Sequence, residues 1–549
     1  MPRLLNRFPV KRAGLGALAK RRPTVAVPGN RRLLGVVAVV VVIVLIVLIA
    51  GSGGQAATPP ATGAAAIVPG DALAYVHVST DESRPSVPAA LALAARFPDY
   101  QALRDGLMTR LGITGPGVAV DFATEVRPWL GKEVALAVFD TPSSTAGSLI
   151  IAAVARRRAA ERFVAGLPTD GSASYEGTRI TGHPGAGDTA FVGRYLVIGH
   201  SAGIRAAIDV AARRAPSLSE DPTYRRASGS EPAARAVDAY ISGTGVTRLL
   251  LSRHGVLGVL GSLVDQPTLQ GVAVALTPAT GGLQMQVKSV LDQQLTHAVP
   301  TSFTPSLAAS APAGAALFLD AAGLNRLLPR VLSTIGIGAR IPGLLRKLGI
   351  ALAAQGVNVD QDIVSLFKRE SAVVISTHGS APVVTVMART PDAAQTRTVF
   401  AELEEPLERL FAPAGAAAGQ APQFNQVPIG QVVAHQLILA PGLQFDYAVI
   451  GHELVLSTSL SGIAGVAHHA TSITDEPAYH LALGNGPARV TSLLFLDLSQ
   501  LLSLDEQTGL ITGARFLALK PDLERVHAIG LDSTSGEAES TAELFFQIP

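Results

Sequence analysis

The sequence predicts an α+β fold: two tandem, similar units of antiparallel strands and hairpins with flanking helices, preceded by one transmembrane helix. Three observations carry this. An unbroken apolar run follows a purely basic N-terminus, the rest of the chain can be laid over itself, and Gly-containing two-residue turns join short apolar stretches in both halves.

The first element is a basic cytoplasmic tail, residues 1–32, with nine Lys or Arg and no acid. The second is Leu33–Ala50, LLGVVAVVVVIVLIVLIA. At a helical rise of about 1.5 Å per residue this run reaches roughly 27 Å, close to the hydrocarbon thickness of a bilayer. Basic flanks stay cytoplasmic, so the chain after Gly51 is expected outside. Ala50 and Ser52 form a small-x-small pair that a signal peptidase could cut, but both the apolar run and its flank exceed signal-peptide dimensions. The lipid bilayer is therefore the first expected partner, through Leu33–Ala50. Residues 51–66, rich in Gly, Ala and Pro without apolar periodicity, read as a flexible linker.

Two units follow, 67–296 and 306–549. The first opens on the proline turn and strand Val68–Val78, the second on Ala311–Asp320. Val118–Asp121 corresponds to Val357–Asp360, and Glu133–Val138 to Glu370–Ile375. Second strands end at Arg156 and Arg389, and amphipathic helices follow at Ala159–Leu167 and Ala393–Leu410. Ala190–Ile198 aligns without gaps to Ala448–Leu456, each a hairpin turning at a glycine. Glu220–Tyr224 matches Asp475–Tyr479, and closing hairpins fall at Gly271–Val290 and His527–Phe546. Consecutive apolar positions in Val134–Val138 and Leu149–Val154 require cover on both faces of the sheet. The units are expected to pack with pseudo-two-fold symmetry and share a sheet or groove. The Ala-rich insert Pro413–Ala421 reads as a surface loop.

Composition narrows the function. Hydrophobic residues make up 48% and aromatics 5%, so the cores are built from Ala, Val and Leu. Without the nine N-terminal bases the exported part holds 35 Lys and Arg against 42 Asp and Glu, a balance near −7. That sign argues against nucleic acid as partner. The chain has no cysteine, which excludes thiol catalysis and Cys-ligated metal.

Several motifs invite chemistry. Gly199-His200-Ser201-Ala202-Gly203 matches G-x-S-x-G and would make Ser201 a serine-hydrolase nucleophile. The second half has Ser457–Gly462 in that place without the pattern. The preceding strand is the second arm of a tight hairpin, and no oxyanion segment comes before it. Ser201 reads instead as the cap of the next helix. Asp221-Pro222 and Glu476-Pro477 read as helix starts, the acid accepting free N–H groups. Gly182, Gly185 and Gly187 miss dinucleotide spacing. His468 and His469, neighbours on a predicted helix, point to different faces and make no zinc pair. Trp129, matched by Leu366 or Phe367, reads as core. No catalytic, cofactor-binding or metal-ligating residue is assigned, and no cofactor is expected.

Val68–Val78, Phe-Pro-Asp-Tyr at Phe97–Tyr100 and the Leu218–Tyr224 turn, behind a basic tail, one span and a small-residue linker, resemble the DUF3352 family of uncharacterised bacterial extracytoplasmic proteins. The resemblance covers most of Ile67–Pro549 and implies no activity, because that family has no assigned catalytic residues. The expected function is non-catalytic binding or scaffolding at the cell envelope, with an envelope protein or a hydrophobic ligand as partner. The alternatives are a carrier of lipid or another hydrophobe, and the hydrolase using Ser201.

Overall fold

The computed structural model describes residues 58–97, 122–140, 146–184, 187–251, 268–294, 301–324, 353–354, 364–378, 381–412, 421–468, 470–484, 486–508 and 523–549. The basic tail, Leu33–Ala50, Val118–Asp121, Val357–Asp360, Gly185, His469 and nearly all of Pro413–Ala421 lie outside them. Among the described residues no helix is long and apolar enough to cross a membrane.

An antiparallel sheet of twenty strands organises everything described. The first half supplies β1 (Ala74–Ser79), β2 (Leu130–Asp140), β3 (Ala146–Val154), β4 (Gly171–Tyr175), β5 (Thr178–His183), β6 (Gly187–Val192), β7 (Tyr195–Gly199), β8 (Val237–Ser242), β9 (Leu269–Ala279) and β10 (Gly282–Leu291). The second supplies β11 (Leu317–Ala322), β12 (Glu370–His378), β13 (Ala381–Arg389), β14 (Phe424–Ile429), β15 (Val432–Ala440), β16 (Leu443–Ile450), β17 (Glu453–Ser457), β18 (Ser492–Asp497), β19 (Ala528–Ser535) and β20 (Glu539–Gln547).

The strand registers give one linear order. It begins β4-β5-β6-β7-β3-β2-β1-β8-β9-β10. It crosses from β10 to β20 and ends β20-β19-β18-β11-β12-β13-β17-β16-β15-β14. The second half thus repeats the order of the first in reverse. β10 and β20, each the last strand of its half, lie antiparallel, with Gln286 opposite Glu543 near the middle of the pair. A two-fold axis perpendicular to the sheet generates this arrangement, because equivalent strands then meet across it.

Local chemistry explains the hairpins. Gly193 and Gly451 sit first in their two-residue turns at φ 55° and 57°. This left-handed backbone suits glycine and matches the twist of the flanking strands. The acid–proline pairs do start helices: Pro222 and Pro477 open α4 (Pro222–Ser228) and α7 (Pro477–Leu483). Asp221 caps its helix by accepting from Tyr224 N at 2.7 Å. Glu476 does not cap; it reaches back to the amide of Gly314 instead.

Helices cover both faces. On one face α3 (Ser201–Ala211) and α4 close over Tyr75, Leu149, Val197 and Tyr240, while α6 (Leu460–Ala467) and α7 close over Phe318, Met387 and Phe495. On the other, α1 (Ser86–Ala94) packs Ala90 and Leu93 against Val76 and Leu136, and α2 (Arg157–Gly166) packs Ala160 against Ala152 and Leu196. α5 (Ala393–Phe411) packs Phe400 against Tyr447 and Leu454. Residues 135–139 of β2 are all buried, as a strand covered on both faces requires.

Two boundaries differ from expectation. Gly63–Ile67 is a helical turn whose Ala64 and Ala65 are buried in the first core, so the linker ends before Gly63 instead of at Ala66. Small apolar residues serve a tether and a tight core contact equally well, and sequence alone does not separate the two. His468 lies past the end of α6, at its C-cap, rather than on the helix.

Candidate functional site: an apolar row and a buried polar cluster

Ser201 is the first residue of α3, and His200 occupies the cap position with extended backbone and no side-chain bond. The expected capping by Ser201 is therefore corrected: a cap needs the non-helical backbone that His200 has. Among the described residues no histidine or acid bonds to Ser201, and β7 before it is antiparallel to both neighbours. Gly182 and Gly187 belong to a hairpin, not to a strand–helix turn. His468 Nε2 meets the Ile429 carbonyl at 3.1 Å. Trp129 is core, its ring against Phe163 with centroids 5.4 Å apart. No group of three or more His, Asp or Glu able to hold a metal occurs among the described residues.

Two features emerge that no motif announced. The first is polar and buried. His77 on β1 stands between carboxylates of both neighbouring strands: its Nδ1 is 2.9 Å from Asp238 Oδ1 on β8, and its Nε2 is 3.8 Å from Glu133 on β2. Arg235 Nε donates to Asp238 at 2.8 Å and lies 3.0 Å from Glu231. Burial alone would raise the Asp238 carboxyl, but His77 and Arg235 hold it below the ordinary range. Glu231 moves the other way, raised by burial and by the charge of Asp238.

Glu133 accepts from Ala64 N, Tyr195 Oη and Arg194 Nη2 at 3.2, 2.9 and 3.0 Å. Its counterpart Glu370 accepts from Leu307 N at 2.9 Å and Ser306 Oγ at 2.6 Å. Each half therefore uses a buried carboxylate at a strand start to hold the N-terminus of the helical turn that precedes its first strand. In the second half, register places Asp320 where the first has His77, and Leu493 where it has Asp238. Neither oxygen of Asp320 finds a hydrogen-bond partner. Burial and the neighbouring Glu370 push its carboxyl up to about 9.

The second feature is an apolar row on the face opposite those polar groups. Following the registers, every strand from β6 to β17 contributes one apolar residue. In the first half the row runs Phe191, Leu196, Ala152, Val134, Val78 and Val237. It crosses the join through Leu276, Met285, Leu544 and Leu531. It continues through Leu494, Leu319, Val373, Val386 and Leu456. Helices α2 and α5 pack over the two ends, and half-buried members occur along the whole row, among them Phe191, Val134, Met285, Leu544, Leu531 and Leu456. The row cannot react with anything; it can shelter an apolar chain.

A family model described as "Protein of unknown function (DUF3352)" matches residues 33–548. No curated protein matches. Among solved structures, crystal form I of TP0453 is 13% identical, with 42% of this chain and 79% of that chain covered at a TM-score of 0.24. Crystal form IV of TP0453 is 11% identical, with 43% and 81% covered at a TM-score of 0.24.

Proposed function

From the premise that this chain belongs to the DUF3352 family, whose description assigns no activity, we propose a membrane-anchored, extracytoplasmic, non-catalytic binding protein of the bacterial cell envelope. Its described part is a duplicated pair of α+β units, and its ligand is a hydrophobic molecule such as a lipid acyl chain. The family match begins at Leu33, so the apolar run that would form the anchor belongs to the matched region. The palindromic strand order supports duplication. The observation that carries the binding reading is the apolar row, which crosses the join between halves without a polar interruption. A scaffold for another protein needs no such continuity along a half-buried face, so the carrier reading is preferred to plain scaffolding.

Photo-crosslinking the full chain in native membranes with a diazirine fatty acid tests this. Peptides from β19 and β20 are expected to carry label beyond the label on Leu33–Ala50. Leu544→Glu should weaken that labelling at least about tenfold, because setting a carboxylate against an acyl chain costs more than about 1.4 kcal/mol. Label confined to residues 33–50 would remove the carrier reading and leave scaffolding.

A further inference from the structure

We infer that the tip of the β15–β16 hairpin is a second membrane contact, dipping into the interface of the bilayer to which the chain is tethered. The inference rests on the anchor reading above. Ile438 and Leu443 at this tip are 50% and 56% exposed, and no charged residue occurs from Leu437 to Phe445. The ribbon outruns its neighbours. β14 pairs no further than Leu437, β17 pairs only from Asp446, and between them Ile438 faces Gln444 and Ala440 faces Leu443. Cross-strand pairing occupies the inner backbone groups, while the outer ones still need water or headgroups, so the contact belongs at the interface and not in the hydrocarbon core.

Strand direction supplies the second argument. Neighbours alternate through the sheet, and counting along the order shows that β15 and β1 run the same way. The ends of both strands therefore lie along one edge. The tether enters at that edge: Glu133, opposite the last residue of β1, holds Ala64 N, and Arg84 just beyond β1 donates to the carbonyl of Thr58. In the first half the corresponding strand ends, His183 of β5 and Gly187 of β6, lie on the opposite edge. Their sequence, His183-Pro184-Gly185-Ala186-Gly187-Asp188, offers no large apolar side chain. Of these two sequences, the one on the tether's edge is the apolar one. Counted along the sheet, tip and tether lie about twelve strand spacings apart, on the order of 58 Å at ~4.8 Å each. Sheet twist turns strand directions progressively, so the experiment reads orientation directly.

The chain has no cysteine, so a single label is unambiguous. The full chain carrying Leu443→Cys and an environment-sensitive fluorophore is reconstituted into phosphatidylcholine–phosphatidylglycerol vesicles containing nitroxide-labelled acyl chains. Ser172→Cys, on exposed β4, is the control. The label at position 443 is expected to shift to the blue and be quenched several-fold more than the control. Quenching equal to the control in a chain that floats with the vesicles overturns the tip contact and leaves the anchor standing. A chain that does not float removes both. A blue-shifted label that lipid nitroxides do not quench means that the tip docks on protein, which also overturns the inference.

Discussion

Replacing Gly282 with valine is expected to uncouple the two halves and to remove about 3 kcal/mol of stability, at the upper end of overpacking effects. Gly282 opens β10 directly opposite Gln547. A Cβ there would meet the backbone oxygen of Phe546 at 1.9 Å, with the Phe545 ring 3.1 Å away. The oxygen belongs to the neighbouring strand and cannot swing aside as a side chain would. Relief requires β20 to shift from β10, and with it the cluster that Phe546 and Ile548 share with Leu93, Leu276 and Leu283. Gln284 Nε2 donates to Glu543 at 2.7 Å, Lys288 lies 2.9 Å from Glu539, and Ile548 N donates to the Gly281 carbonyl at 2.9 Å. All of these depend on the same register. Calorimetry should show one transition splitting into two, the lower one moved well down. A single transition at the original midpoint would mean that the join adds nothing to cooperativity.

Asp320→Asn is expected to stabilise the protein at neutral pH. The wild-type carboxyl titrates near 9 when folded and near its ordinary 3.8 when unfolded. The folded state therefore holds a proton that the unfolded state releases, and wild-type stability falls as pH rises from about 4 to about 9. At pH 7 the cost is on the order of 4 kcal/mol, from roughly three pH units at about 1.4 kcal/mol each. Asparagine has similar size and polarity but cannot ionise. The variant should gain a few kcal/mol at pH 7, lose that advantage near pH 4, and show a flatter profile up to pH 9. Denaturant midpoints across that range check it. Parallel profiles for the two proteins would mean that the folded chain already shelters an ionised Asp320.

Sequence patterning reached the fold wherever a signal is local. The hairpins at Gly193 and Gly451, the helix starts at Pro222 and Pro477, and the closing hairpins all carry turn residues at fixed offsets. The arms β4–β5 and β14–β15 were missed, although Glu176-Gly177 between two alternating stretches is a two-residue turn signal, and Glu176 does adopt positive φ. The repeated acid at Glu133 and Glu370 is visible as a match between halves. Its task is not, because its partners Ala64 and Leu307 are 69 and 63 residues earlier in the chain. The same holds for the apolar row. Each strand shows its own apolar residues, but only register aligns them, and the register between β10 and β20 joins segments about two hundred and fifty residues apart.

Cross-linking across that join tests the central claim most directly. Gln286→Cys with Glu543→Cys puts two thiols on directly opposed residues, within the Cα separation of about 4.4–6.8 Å that a disulfide needs. In the full chain, oxidation should close this pair almost completely. Gln284→Cys with Thr541→Cys lies on the same face but four residues out of register, more than about 13 Å apart along the strand, and should stay open. Closure of the second pair, or failure of the first, would show that β10 and β20 do not join the halves into one sheet.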